Sequence, residues 1–198
     1  SGLRGSIRDI KPWADGTPEL NEIYDRLRTY YDHLDSYIGL FSPLTRRVRR
    51  RKVDVTGASI LSYVRELFSD RLKRAEIELI ASEEFSTWSI PSFRSTLIAA
   101  VVNIVDNAIY WIGSDRHSES WIKLDTFGDG IVIRNGGPGI PRRAARTIFE
   151  FGMSNKPGGR GMGLAVSREA LSSIGLKLEL LEEGIETRPA FAIFPDTG

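Results

Sequence analysis

The chain has 198 residues, of which 27 are Lys or Arg and 26 are Asp or Glu, giving a formal net charge of +1. This length corresponds to one or two domains, and 41% hydrophobic residues suffice for a core, which argues against wholesale disorder. Because the chain has no Cys, disulfides, thiolate metal sites and thiol nucleophiles are excluded. Its two His leave little for a His-based metal cluster. The balanced charge makes a dedicated nucleic-acid-binding protein improbable. Neither an apolar run of membrane-span length nor a signal peptide is evident, so we expect a cytoplasmic protein.

The first 52 residues contain a lead-in and a long helix. Residues 1–16 mix Gly, Pro and both charges without a clear period, which predicts a flexible lead-in. Thr17-Pro18-Glu19 predicts a helix start, with a Thr cap, Pro in the first turn and an acid near the positive end of the dipole. Apolar residues then recur every seven residues in two series, which lie side by side on the predicted helix. They are Leu20, Leu27, Leu34, Phe41 and Val48, with Ile23, Tyr30, Tyr37 and Leu44 beside them.

This heptad pattern predicts a dimerisation or bundle helix over residues 17–52, with a bend near Pro43. Because a lone helix would leave the stripe in water, a second copy is the simplest partner, and we expect a homodimer. The alternative is that the stripe packs on the globular part of the same chain. The helix ends in the basic run 46–52, which is more typical of a solvated helix end than of a site for nucleic acid or lipid headgroups.

From residue 53 the pattern changes to short strands interleaved with helices. The mixture predicts an α+β fold, a two-layer α/β sandwich rather than a Rossmann alternation, over residues 53–198. We expect strands at 53–55, 77–80, 121–124, 131–133, 176–181 and 190–194, and helices at 60–72, 97–111 and 164–173.

The first segment with chemistry lies inside the apolar helix 97–111. Asn103 and Asn107 are four residues apart, so both carboxamides project from one face, one turn apart. Carboxamide oxygens are hard, neutral ligands of the kind that Mg²⁺ accepts together with water and phosphate oxygens. Two Asn on a helix face are more often simply solvated, so this pair alone does not predict a metal site.

The second segment directly follows a predicted strand. Residues 135–141 read Asn-Gly-Gly-Pro-Gly-Ile-Pro. The glycines allow the backbone to approach a flat ligand closely, and the side chain of Asn135 offers an acceptor and two donors, as needed to read an adenine edge. Taken alone, an ordinary turn explains this segment better.

The third segment is glycine-rich and runs into the helix at 164–173. Residues 149–151 read Phe-Glu-Phe, and residues 154–164 read Ser-Asn-Lys-Pro-Gly-Gly-Arg-Gly-Met-Gly-Leu. Alternate glycines free backbone N–H groups at a helix N-terminus, where phosphates bind, and Lys156 and Arg160 add cationic donors. We expect the glycine-rich stretch before the helix to form a lid over a bound ligand. The pattern is neither a P-loop nor a Rossmann fingerprint.

In this order and spacing, the three segments resemble the N, G1, F and G2 boxes of the Bergerat-type ATP-binding fold. That fold is shared by sensor histidine kinases, gyrase-type topoisomerases, heat-shock chaperone ATPases and mismatch-repair ATPases. The resemblance covers residues 53–195 and is greatest to the sensor histidine kinases. The preceding heptad helix lies where that family has the second helix of its dimerisation hairpin.

The resemblance implies ATP and Mg²⁺ as cofactors. Asn107 would coordinate Mg²⁺, and Asn103 would assist at the metal and the phosphates. Asn135 would contact the adenine amino group. Three residues, Asn103, Lys156 and Arg160, would act together in phosphoryl transfer. The remaining implied nucleotide-binding residues lie around the base and along the lid, and they are Gly137, Gly139, Ile140, Gly159, Gly161, Met162, Gly163 and Leu164.

One comparison within the superfamily predicts the reaction type. The gyrase and chaperone branches carry a water-activating Glu four residues before the metal Asn. Here that position is Asn103, which cannot accept a proton near neutral pH. Asp106 projects about 100° around the helix from Asn107 and is not assigned as the base. The resemblance therefore implies slow hydrolysis and transfer of the γ-phosphoryl group to a protein acceptor, with a response regulator as a candidate partner.

The chain departs from the family pattern at three places. Asn135 replaces the usual acid, and Tyr110 stands where a basic residue often follows the N box. His33 lacks the acid and the proline that follow a kinase acceptor histidine, so the acceptor is either outside this chain or absent. His117 lies in a polar loop. These departures keep open two alternatives, a nucleotide-gated, dimer-switching module without kinase activity and an anti-sigma-type serine/threonine kinase. Asn103 disfavours a clamp-type ATPase.

Overall fold

A computed structural model describes residues 3–14, 17–25, 27–28, 51–154, 156 and 161–197. The chain divides into two compact units, Ser1–Ile38 and Gly39–Gly198. His33, the predicted bend near Pro43, residues 46–50 of the basic run and most of the predicted helix 17–52 lie outside the described residues. The predicted domain limits therefore stay predictions.

The N-terminal unit contains helix α1 (Leu3–Ala14) and the start of helix α2 (described over 18–25 and 27–28). The expectation of a flexible lead-in is wrong over α1. Its apolar residues, spaced by four, three and four positions from Leu3 to Ala14, have a helical period that the Gly and Pro content obscured. The start of α2 is confirmed, since the N–H of Asn21 donates to the carbonyl oxygen of Thr17 at 3.0 Å.

The second unit is built on a five-stranded sheet in the order β2-β4-β5-β7-β6. Neighbouring strands are antiparallel except β2 and β4, which are parallel. A separate two-stranded antiparallel sheet joins β1 and β3. The strands are β1 (Val53–Thr56), β2 (Glu78–Ala81), β3 (Ser89–Ser92), β4 (Trp121–Phe127), β5 (Gly130–Asn135), β6 (Leu176–Leu180) and β7 (Ala190–Pro195).

The helices of this unit cover the sheet and close the core. They are α3 (Gly57–Arg74), α4 (Glu83–Thr87), α5 (Arg94–Ser114), α6 (Arg142–Ala145) and α7 (Gly163–Ser172), with a 3₁₀ turn at Glu182–Gly184. Side-chain caps begin two of them, Thr56 on α3 and Ser82 on α4. Alternate strand residues such as Ile122, Leu124 and Ile131 are fully buried beneath the helices. The arrangement confirms the predicted two-layer α/β sandwich.

Helix α5 is the central helix of the core. It is long and apolar enough to cross a membrane by length and composition, yet 72% of its most apolar window is buried inside the unit, as in a core helix. Leu97, Ala100 and Ile104 are almost completely buried among the strands and the other helices. Because packing fixes the helix on this side, the direction of its opposite polar face is fixed as well.

Candidate functional site

The two carboxamides of α5 lie in different environments. Asn103 is 8% exposed, and its Nδ2 donates a 3.0 Å hydrogen bond to Oγ of Ser167, which is buried on α7. The same carboxamide lies against Gly163, where a Cβ would come within 2.5 Å of its Oδ1. Asn103 therefore fastens the N-terminal end of α7 to the middle of α5, and this contact requires glycine at position 163.

Asn107 lies one turn further along α5 and is half-buried. Among the described residues its side chain has no hydrogen-bond partner. An uncommitted carboxamide oxygen at the edge of a packed core is available to an external ligand, and it suits a hard cation that keeps several waters. No group of three His, Cys, Asp or Glu converges within the described part of the chain, so a cation here would rely on carboxamide, water and ligand oxygens.

A cluster of charges occupies the neighbouring face of α5. Oδ1 of Asp106 accepts a 2.6 Å hydrogen bond from Nη1 of Arg71 on α3, which is also an ion pair. The other carboxylate oxygen lies 3.6 Å from Nζ of Lys156. The ammonium of Lys156 also lies 4.5 Å from the ring centroid of Tyr110. Burial lowers the pKa of Lys156, and Arg71 lowers it further, while Asp106 opposes the shift. The cluster brings the lid lysine beside the turn of α5 that carries Asn107.

The N-terminus of α7 forms the third side of this region. Met162 occupies the cap position without a side-chain hydrogen bond, and the first turn of α7 has no acidic residue. The N–H groups of that turn lack intrahelical acceptors and carry the positive end of the helix dipole. Since Gly163 contacts Asn103, these donors lie on the same side of α5 as the predicted metal ligands.

The loop after β5 is fixed mainly by its own backbone. Asn135 is buried, and its Oδ1 accepts the N–H of Gly137 at 3.0 Å. A Cβ on Gly136 would come within 2.1 Å of the carbonyl oxygen of Glu119, and one on Gly139 within 2.4 Å of the backbone of Glu186. These glycines are therefore required for close backbone packing. Gly136 belongs to the glycine-rich motif at 135–141, but the resemblance did not place it among the implied binding residues, and its packing against Glu119 is visible only in the fold.

The ends of the lid are joined to each other and to the core. The N–H of Gly152 donates to the carbonyl oxygen of Gly161 at 3.0 Å, and Gly161 has a φ of +61°. Phe149 is buried, its carbonyl oxygen accepts a hydrogen bond from Arg168, and its ring lies beneath that guanidinium. The segment predicted as a lid therefore has its two ends, near residues 152 and 161, hydrogen-bonded to each other, while Phe151 is 66% exposed.

The structure brings several predicted site residues together and leaves others undescribed. Asn103 and Gly163 are in contact, and Lys156 lies at the face of α5 next to Asn107. Gly159 and Arg160 lie outside the described residues. The sequence did not predict the hydrogen bond from Asn103 to Ser167 or the ion pair between Arg71 and Asp106. The partners in these two contacts are 64 and 35 residues apart in the chain, so no local pattern marks them.

The family follows from comparison with known proteins. Residues 94–197, slightly more than half of the chain, match the family described as Histidine kinase-, DNA gyrase B-, and HSP90-like ATPase. The chain belongs to this family. Residues 1–50 match a second family model, the HEF_HK domain. The resemblance seen in the sequence is thereby confirmed, and the chain contains the ATP-binding catalytic domain of histidine-kinase type.

The curated relatives of this histidine-kinase-type chain are sensor proteins. It is 30% identical over 112 residues to the sensor protein CitS of Bacillus subtilis (strain 168). It is 26% identical over 180 residues to the signal transduction histidine-protein kinase/phosphatase MprB of Mycobacterium avium (strain 104). These matches cover 54% and 85% of this chain but 21% and 33% of the relatives, so the chain spans about a fifth to a third of their length.

Solved structures agree on the fold. Full-length ShkA in complex with AMPPNP aligns with a TM-score of 0.65 at 19% identity, over 90% of this chain and 37% of that one. The catalytic domain of the histidine kinase ThkA aligns with a TM-score of 0.61 at 20% identity, over 73% of this chain and 95% of that one. The sandwich of residues 53–197 therefore has the fold of a histidine kinase catalytic domain.

Proposed function

We propose that this histidine-kinase-type domain binds ATP with Mg²⁺ between α5, the N-terminus of α7 and the lid, and transfers the γ-phosphoryl group to a protein acceptor. The observation that carries the proposal is the uncommitted carboxamide of Asn107, which lies between two groups suited to phosphate. On one side Gly163 brings the uncapped start of α7 against Asn103, and on the other lies the ammonium of Lys156.

Each residue of this region has a distinct task in the proposal. Asn107 offers a neutral oxygen to the cation, and Mg²⁺ when bound supplies charge neutralisation at the phosphate oxygens. The first-turn N–H groups of α7 and the ammonium of Lys156 bind phosphate oxygens. Asn103 holds α7 in place through Ser167, and its predicted part at the metal, like that of Arg160 at the phosphates, stays a prediction.

The adenine base would be recognised by the loop after β5. Oδ1 of Asn135 already accepts the N–H of Gly137, which leaves that oxygen a second lone pair and leaves both amide hydrogens for a ligand. The second lone pair can accept from an adenine amino group. Gly137, Gly139 and Ile140 complete this loop, and we propose that they border the base.

Transfer to a protein, rather than to water, is favoured by the absence of a base at position 103. A carboxamide does not take a proton from water near neutral pH. In the proposed step a nucleophilic atom of the acceptor attacks the γ-phosphorus, the bond to the bridging oxygen breaks, and ADP leaves with the electron pair. The domain contributes positioning and positive charge to this step. CitS and MprB, named as a sensor protein and a histidine-protein kinase/phosphatase, support this reading.

We further propose that the chain is cytoplasmic, forms a homodimer through the helix predicted at 17–52, and acts with a response regulator. Support for the dimer comes from the described start of α2. There Leu20, Ile23 and Leu27 follow one another at three and four positions along one helix face, and each is about half exposed. Light scattering on the wild-type chain and on a Leu20→Glu variant tests this, since the variant should be monomeric where the wild type is a dimer.

The reaction is tested by incubating the purified chain with γ-labelled ATP, alone and with candidate response regulators. Acid-labile label on an added protein is the expected result, because phosphorylated histidine and aspartate are hydrolysed in acid. Acid-stable label on an added partner would indicate the anti-sigma type of kinase instead. Rapid release of inorganic phosphate without any labelled protein would contradict the proposed transfer.

A nucleotide-gated module without kinase activity is the second candidate. It is favoured by Asn135, a neutral residue whose oxygen is already engaged by the loop, and by the sequence around His33, which lacks the features of an acceptor. In that case the chain would bind Mg·ATP and change its dimer affinity, and no protein would be labelled.

A further inference from the structure

Helix α5 cannot supply a positive charge to the region around Asn107 from its own sequence. After Arg94 at its first position it contains no Lys or Arg, and Asp106 directly precedes Asn107. An isolated carboxylate beside a triphosphate would oppose its binding by like-charge repulsion. A cation that offsets Asp106 must therefore come from another part of the chain, and among the described residues Arg71 and Lys156 lie against it.

The two cations are held differently. Nη1 of Arg71 lies 2.6 Å from Oδ1 of Asp106, which is the distance of a short, charge-assisted hydrogen bond. Nζ of Lys156 lies 3.6 Å from Oδ2, longer than a well-formed hydrogen bond, so this carboxylate attracts the ammonium mainly by charge and engages at most one of its three N–H groups. Arg71 is thus hydrogen-bonded to Asp106, whereas at least two N–H groups of Lys156 are available to phosphate oxygens.

Tyr110 provides the second contact that fixes the position of Lys156. It lies one turn after Asp106 on the same face of α5, and its ring centroid is 4.5 Å from the ammonium. An ammonium over an aromatic face is attracted by the ring quadrupole without using its N–H donors. The side chain of Lys156 is only 20% exposed, so this attraction acts where solvent screens it little. Burial also lowers the pKa of Lys156, which is consistent with an ammonium that has lost part of its water.

We propose that Asp106 and Tyr110 form a seat on α5 for the ammonium of Lys156, which places the lid's positive charge beside Asn107 and directs it at the phosphates of the nucleotide. Tyr110 is then a positioning residue for phosphate recognition and touches neither base nor phosphate. This inference rests on the proposed function and adds to it the origin of the phosphate-binding charge. It also explains why an aromatic residue at position 110 is compatible with binding a triphosphate.

The test compares the affinities of the wild-type chain, Tyr110→Leu, Tyr110→Phe and Lys156→Ala for Mg·ATP and for AMP by calorimetry. Tyr110→Phe retains the ring and is the matched control. We expect Tyr110→Leu to weaken Mg·ATP binding about threefold to tenfold and Tyr110→Phe to change it less than about twofold. AMP, which lacks the β- and γ-phosphates, should bind all variants alike. In a Lys156→Ala background, Tyr110→Leu should have no further effect.

Three results would overturn the inference while leaving the proposed function intact. They are an unchanged Mg·ATP affinity in Tyr110→Leu, an equal loss for AMP, and an undiminished effect of Tyr110→Leu without Lys156. If the wild-type chain does not bind Mg·ATP at all, the proposed function fails and this inference fails with it.

A second measurement examines the seat directly and needs no nucleotide. Protons held over an aromatic ring are shifted upfield by its ring current. In NMR spectra of the wild-type chain and Tyr110→Phe, the ε-methylene protons of Lys156 should lie upfield of those of exposed Lys177. In Tyr110→Leu this shift should disappear. An ordinary Lys156 shift in the folded wild-type chain would contradict the seat.

Discussion

The two walls of the proposed nucleotide site are built by different means. The base wall, residues 135–140, is held by backbone packing against Glu119 and Glu186, with an internal hydrogen bond from Gly137 to Asn135. The phosphate wall consists of one face of α5, the start of α7 and Lys156, and it is held by side-chain contacts and charge. A wall made of backbone presents a fixed shape, whereas a wall made of charged side chains can exchange partners when phosphate arrives.

The largest expected combined effect, on stability and on ATP binding together, concerns the base wall. Gly139→Ala places a Cβ within 2.4–2.7 Å of the backbone of Glu186 and Thr187, which cannot move aside as a side-chain end can. We expect a loss of about 1–3 kcal/mol in the free energy of unfolding, together with a marked loss of ATP affinity. Urea denaturation and calorimetry measure the two effects.

The matched control is Gly113→Ala on α5, where a Cβ meets no atom within 4 Å. This change should leave ATP binding unaltered and stabilise the helix by up to about 1 kcal/mol. If Gly139→Ala behaves like Gly113→Ala, then the base wall is not held by close backbone packing.

A smaller effect is expected at the junction of the phosphate wall. Gly163→Ala places a Cβ within 2.5–3.0 Å of the carboxamide of Asn103, which must then move from its position against Ser167. We expect Mg·ATP affinity to fall by roughly tenfold, about 1.4 kcal/mol, with a smaller change in stability because a side chain rather than backbone has to shift.

Ser167→Ala distinguishes loss of the hydrogen bond from steric crowding of Asn103, because it removes the hydrogen bond and adds no atom near the carboxamide. That variant should lose about 1–3 kcal/mol of stability, since the amide of Asn103 is left buried without its partner. A Gly163→Ala variant that binds Mg·ATP as tightly as the wild type would show that α7 and α5 need not touch at this point for binding.

The smallest expected effect concerns pH and lies away from the site, on β4. Burial raises the pKa of Asp125, but hydrogen bonds from Lys123, Ser82 and the N–H of Thr126 together lower it below its ordinary value. A carboxyl with a lowered folded-state pKa contributes stability above its unfolded pKa, and that contribution is lost as the pH falls through the folded value.

Asp125→Asn should therefore be less stable than the wild type near neutral pH, and the difference should shrink in acid. Urea denaturation at several pH values measures this. A difference that grows as the pH falls would contradict the direction of the shift at Asp125.

The sequence predicts most of the fold because its apolar spacing is regular where the elements are long. The helices from 60 to 72 and from 97 to 111 are confirmed within α3 and α5, and the strand pair around residues 127–130 is confirmed as β4 and β5. Apart from α1, whose helical period is obscured by its Gly and Pro content, the elements that were missed are short. Helices α4 and α6 have five and four residues, too few to display a helical period, and β3 has four.

The site is predictable in its residue types but not in its contacts. The spacing of Asn103 and Asn107 indicates one helix face. It does not reveal that one carboxamide is hydrogen-bonded to Ser167 while the other has no partner among the described residues. Likewise, Lys156 is recognisable as a lid cation, but its contacts with Asp106 and Tyr110 join segments about fifty residues apart. Such pairings arise only from tertiary packing.

The central claim is that the uncommitted carboxamide of Asn107 binds the cation that accompanies ATP. The most direct measurement is calorimetric titration of the chain with ATP, with and without Mg²⁺, for the wild type and for Asn107→Ala. The account predicts that Mg²⁺ strengthens ATP binding to the wild type and that Asn107→Ala loses this gain, with affinity reduced by roughly 100-fold, about 2.8 kcal/mol. An Asn107→Ala variant that keeps the full Mg²⁺-dependent affinity of the wild type would contradict it.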